Sequence, residues 1–124
     1  MVEYTGSSGI WAVPDIEAAR TFYADVLGLD VSDEMGMLQL RLPGGATAVV
    51  YPKDDHAPAV FTILNLMVRD LPAAVDELVG RGARMERYDG FEHDDRGIVG
   101  GFEEGPDIAW TTDPAGNIIA LIAE

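Results

Sequence analysis

Val13-Pro14-Asp15-Ile16-Glu17-Ala18-Ala19 is answered in the second half of the chain by Val68-Arg69-Asp70-Leu71-Pro72-Ala73-Ala74. Each copy follows an apolar run and opens a helical pattern, so the echo marks a duplicated unit. Asp15 and Asp70 suit helix N-caps, because a short carboxylate accepts the free amide hydrogens of a first turn. Pro72 sits early in its helix, where its missing N–H costs nothing. The first helix is expected over 16–27, with Ile16, Ala19, Tyr23, Val26 and Leu27 spaced at about 3.6 residues. Gly28 stops it. The second is expected over 71–81, with Leu71, Ala74, Val75, Leu78 and Val79 as the stripe.

A strand precedes each helix, over 8–13 and 61–68. Three more follow the first helix, over 30–33, 37–42 and 47–51, punctuated by Gly36 and Pro43-Gly44-Gly45. Three follow the second, over 84–88, 107–112 and 117–122, the last two joined by a tight Asp113-Pro114-Ala115-Gly116 turn. The order is βαβββ, twice, which is an α+β chain. It reads as one domain over 1–124, with modules at about 5–52 and 59–124 and a polar linker between them. The halves differ at 89–105, where the second carries a long glycine-bearing segment. Segments of that length are lids or mobile surface loops. Phe91 and Phe102 are placed to close over a ligand.

Composition narrows the function classes. The chain has 22 acidic and 8 basic residues, a formal charge of −14, which repels phosphate backbones and anionic lipid and attracts cations. Nucleic acid and membrane are therefore not expected partners. No apolar stretch approaches the ~18 residues a membrane span needs, and the N-terminus shows no signal-peptide pattern. The absence of cysteine removes disulfides, thiolate metal sites and a cysteine nucleophile, and fits a reducing cytoplasm.

The run Val13 to Tyr23, then Leu27-Gly28-Leu29, then Asp113-Pro114-Ala115-Gly116-Asn117, in this order within a duplicated βαβββ pattern, resembles the vicinal oxygen chelate superfamily. That superfamily includes glyoxalases, bleomycin resistance proteins and extradiol dioxygenases. The resemblance implies a curved, mixed eight-stranded sheet around a cup, helices on its outer face, and a homodimer. It also implies, in metal-dependent members, one histidine or carboxylate ligand on the first and last strand of each half. Here those places fall on Ser8, Ile63 and Ala120, with the fourth between Val49 and Tyr51. A one-residue slip meets Ser7, Gly9, Thr62, Leu64, Ile119 or Leu121. A divalent ion needs several nitrogen or oxygen donors at about 2.0–2.6 Å. These residues do not supply them, so no metal and no other cofactor is expected.

Strand alternation gives the lining instead. Ser8, Ile10 and Ala12 share a face, as do Ile63, Asn65 and Met67, and Ile118, Ala120 and Ile122. Asn65 stands among apolar neighbours, where a buried amide without a partner costs about 1–3 kcal/mol; a ligand or a neighbouring strand satisfies it. Trp110 is placed to stack on a planar or cationic ligand, or to pack in the core. Tyr51 and Tyr88 end strands and offer hydroxyls. The candidate ligand-binding set is Ser8, Tyr51, Asn65, Tyr88, Phe91 and Trp110. Glu92-His93-Asp94-Asp95 is the one clustered acid–base set, which makes His93 and Glu92 the catalytic candidates.

Two functions stay open. The favoured one is a glyoxalase/bleomycin-resistance-like protein that binds a small cationic or aromatic molecule in its cup without a metal. The alternative is a lyase or other enzyme of the superfamily, metal-free or with a displaced metal, working through the His93 loop.

Overall fold

The computed structural model describes residues 1–100 and 105–124. Its backbone divides into two compact units, Met1–Ala57 and Pro58–Glu124.

The first unit runs β1 (Gly9–Val13), α1 (Ile16–Thr21), a π-helical turn (Phe22–Val26), β2 (Asp30–Glu34), β3 (Met37–Arg41) and β4 (Thr47–Pro52). The second runs β5 (Thr62–Val68), α2 (Leu71–Gly80), β6 (Met85–Glu86), β7 (Ile108–Thr112) and β8 (Ile118–Ala123). Each unit has its own four-stranded mixed sheet, ordered β1-β4-β3-β2 and β5-β8-β7-β6. In each, the first strand pairs parallel with the last and the other neighbours pair antiparallel. The same order and the same senses in both units are what a duplicated βαβββ module requires.

The caps form as the two matching heptapeptides predict. The Asp15 carboxylate accepts from the amides of Glu17 and Ala18, and that of Asp70 from the amide of Ala73. The expected single helix over 16–27 is not uniform. It is α-helical to Thr21 and then widens, with the Leu27 amide donating to the Phe22 carbonyl. The widening lets two consecutive residues, Phe22 and Tyr23, both be buried. Their rings meet edge to face, and the Trp11 indole N–H donates to the Tyr23 hydroxyl at 3.0 Å. An apolar stripe at helical spacing cannot distinguish a wide turn from an α-turn, which is why 3.6-residue periodicity missed it.

Each sheet buries one face against its own helix. In the first unit Leu38, Leu40, Ala48 and Val50 are buried. In the second, Leu71, Val75 and Leu78 of α2 are buried, as are Ala109, Thr111, Ile119 and Leu121 of the sheet. Full burial of one such leucine or valine is worth about 1.5–3 kcal/mol. The alternate positions on each strand form the opposite face, and that face carries the candidate site.

Candidate functional site

The open face of the second sheet is laid out by its register. Asn65 pairs with Ala120, Ala120 with Trp110, and Trp110 with Glu86. All four therefore stand in one row on the same face. Two ladder steps separate Asn65 from Trp110, or about 10 Å at the usual strand spacing. Met67, Ile122 and Ile108 form the adjacent row.

Around Trp110 the structure gathers three residues from beyond β6. The Tyr88 ring meets the indole edge to face at 5.4 Å, Phe91 is tilted against it at 5.5 Å, and His93 lies 6.1 Å away. Phe91 and His93 also meet edge to face at 6.4 Å. Such separations are those of favourable ring pairs. Phe91 keeps nearly half its surface exposed, so the corner presents aromatic surface outward.

The segment that delivers Phe91 and His93 is a folded turn. The Asp94 carboxylate accepts from the amides of Arg96 and Ile98, the Gly97 amide donates to the Asp94 carbonyl, and the Asp94 amide donates to the Ile98 carbonyl. Gly97 adopts φ 86°, a conformation that a side chain would strain. Val99 then exchanges backbone hydrogen bonds with Ile108 at 2.8 and 2.9 Å, which attaches the segment to β7. His93 closes it. Its Nε2 accepts from the Tyr88 amide at 3.0 Å, and Nδ1 donates to the Gly97 carbonyl at 2.8 Å. The tautomer with hydrogen on Nδ1 satisfies both contacts. Outside, the Arg96 guanidinium forks onto both oxygens of Asp76 on α2, at 2.8 and 3.0 Å. That pairing holds the Asp76 carboxyl below its ordinary range and raises Arg96 above its own.

Glu86 is the residue that sequence reasoning missed. It is the register partner of Trp110 in the row, and its carboxylate accepts from the Thr112 hydroxyl at 3.2 Å. Burial, and then the nearby Glu86 charge, push the Tyr88 phenol above its ordinary value near 10. The signal was present in the sequence: alternation along 84–88 puts Glu86 and Tyr88 on one face. The expected strand itself shrinks to Met85–Glu86, because Tyr88 donates its amide to His93 and the Arg87 side chain reaches the Asp95 carbonyl at 3.1 Å.

Asn65 is exposed, which corrects the picture of a buried amide in need of a partner; Leu64 and Leu66, which flank it, point to the other face. Glu92 is exposed, with no hydrogen bond or ion pair among the described residues. Ser8 is exposed just ahead of β1, and Tyr51, half-buried, pairs with Ala12 on β4; both belong to the first unit. Phe102 lies outside the described residues.

The donor chemistry does not fit a divalent ion. Of Ser8, Val49, Tyr51, Ile63 and Ala120, only two carry an oxygen on the side chain, and neither is a carboxylate or an imidazole. Among the described residues no three histidine, aspartate or glutamate side chains gather in a metal-holding group. No described helix is long and apolar enough to cross a membrane.

Residues 10–122 match the family model described as a glyoxalase-like domain. The chain belongs to the glyoxalase-like family. The chain shares its fold with several solved structures. A genomically encoded fosfomycin resistance protein from Listeria monocytogenes matches with TM-score 0.74 at 10% identity, over 100% of this chain and 95% of that one. TnmS3, an antibiotic binding protein from Streptomyces sp. CB03234, matches with TM-score 0.66 at 23% identity, over 98% of each chain. A glyoxalase/bleomycin resistance protein from the same Streptomyces matches with TM-score 0.62 at 25% identity, over 94% of this chain and 99% of that one. The comparison with curated proteins found no match.

Proposed function

We propose that this glyoxalase-like chain binds a small cationic or aromatic molecule on the open face of its second module, and does so without a metal ion. The observation that carries the reading is the corner at Trp110, where three further rings converge beside its register partner Glu86. An indole face beside a carboxylate suits a flat cation: the ring attracts the charge, worth about 0.5–2 kcal/mol, and the carboxylate neutralises it. The chain's excess of acidic residues favours the approach of a cation. That two structural neighbours are described as antibiotic binding and fosfomycin resistance proteins adds support for small-molecule binding.

The catalytic alternative through His93 has less support. Both ring nitrogens are committed to backbone groups, so the imidazole has no free lone pair with which to take a proton from a substrate while the turn is closed. Its role in this reading is to position Phe91 against Trp110.

The test is a melting-shift screen of natural-product antibiotics and planar cationic dyes. A compound present at about 100 times its Kd stabilises by about 2.7 kcal/mol. Trp110→Ala and Glu86→Gln are expected to weaken the hits, whose concentrations stay constant because no turnover occurs. A panel without any shift, or hits bound as well by Trp110→Ala, defeats the proposal. Conversion of a hit that His93→Ala abolishes revives the enzyme reading.

A further inference from the structure

The second module holds another concavity, on the side of its sheet that α2 covers. An open groove of about 440 Å³ lies there, floored by Val75, Val79, Ala83 and Met85. Its size falls within the usual range of small-molecule sites. Val79 is half exposed although apolar, while Val75 and Ala83 beneath are buried, so Val79 is the part of the floor that a hydrocarbon meets first.

The rim gives the groove its chemistry. Three of the chain's eight basic residues, Arg84, Arg87 and Arg96, line it, in a molecule of net charge −14. They are not equivalent. The Arg96 charge is met by the fork onto Asp76. Arg87 donates only to a neutral carbonyl, that of Asp95. Arg84 has no side-chain hydrogen bond or ion pair among the described residues and is exposed. Asp95 adds one carboxylate to the rim, which leaves the groove with one positive charge in excess.

We propose that this groove is a second ligand site, selective for a small carboxylic acid with an apolar body. The Arg84 and Arg87 guanidinium groups take the carboxylate, a pairing that planar forks make bidentately, and the hydrocarbon lies on the valine and methionine floor. The acidic chain repels an anion at long range, so recognition depends on short-range contact with those two forks. The site is separate from the Trp110 corner and does not rest on the function proposed above.

Sodium decanoate, below its micellar concentration, is the probe, and methyl resonances read its position. Decanoate is expected to shift the methyls of Val75, Val79, Ala83 and Met85. Decyltrimethylammonium, with the same chain and the opposite charge, is expected to leave them in place. Replacing both arginines, as Arg84→Gln with Arg87→Gln, weakens decanoate at least about tenfold, the worth of one charge-assisted pair. Both side chains are exposed, and an unchanged melting temperature confirms that the variant is folded. Trp110→Ala keeps decanoate binding, which separates this site from the corner. Unmoved floor methyls, equal binding of the cationic amphiphile, or full affinity in the double variant overturns the proposal.

Discussion

His93 is the residue whose replacement says most about the candidate site. His93→Ala removes an acceptor 3.0 Å from the Tyr88 amide and a donor 2.8 Å from the Gly97 carbonyl. A buried backbone group left without a partner costs about 1–3 kcal/mol. Here one group belongs to half-buried Tyr88 and the other to buried Gly97, so water compensates part of the loss, and the total is expected near 1–3 kcal/mol. At roughly 4 °C per kcal/mol for a domain of this size, the melting temperature falls by about 4–12 °C. The loss is local first: amide exchange should quicken at Tyr88 and Gly97 before it does in β7 and β8. With the turn loosened, Phe91 leaves Trp110, so indole fluorescence shifts and affinity for any corner ligand drops. His93→Asn separates clamp from base. Its amide nitrogen stands near the place of Nδ1 and restores the bond to Gly97, so about half of the stability returns, whereas a proton-transfer role would stay lost. The reasoning fails if His93→Ala melts with the native protein and exchanges no faster at Tyr88.

Two further outcomes follow from the same geometry. Glu86→Gln removes the negative charge beside the Tyr88 phenol and lowers its titration toward the ordinary value, though not fully, since burial is the larger cause; ultraviolet titration at alkaline pH reads this. The sign is that of a raised folded-state value: the stabilising preference for the neutral phenol is whole below pH 10 and is lost as pH rises through the higher folded-state value, so the native chain should lose stability above pH 10, and to a greater extent than Glu86→Gln. An unmoved Tyr88 titration in that variant refutes the coupling. Separately, protein equilibrated with zinc, nickel, manganese and iron and then desalted should carry far less than one equivalent of any of them by elemental analysis; a stoichiometric ion would show that the assignment of Ser8, Ile63 and Ala120 to the ligand places is wrong.

Much of the architecture was legible because its signals are local. Asp15 and Asp70 cap helices through amides two or three residues away, and seven of the eight strands were found within one residue of each end, β6 being the exception. That strand could not be bounded from its own residues, since His93, five positions on, takes the amide of Tyr88. The corner was half legible. Trp110, Tyr88, Phe91 and His93 were each singled out, yet for separate reasons, and the clamp role of His93 was hidden behind its carboxylate neighbours. Asn65 shows the opposite error. Apolar neighbours in sequence suggested burial, but in a strand the flanking Leu64 and Leu66 point to the other face.

What the sequence by itself determined is the duplicated βαβββ order, because caps and period are properties of the chain read along its length. What only the tertiary structure decided is the meeting of Glu86, Tyr88, Phe91 and His93 around Trp110, and the gathering of Arg84, Arg87 and Arg96 at one groove. Those meetings depend on ladder register and on the path of the 89–100 turn, where a shift of one residue would send each side chain to the opposite face.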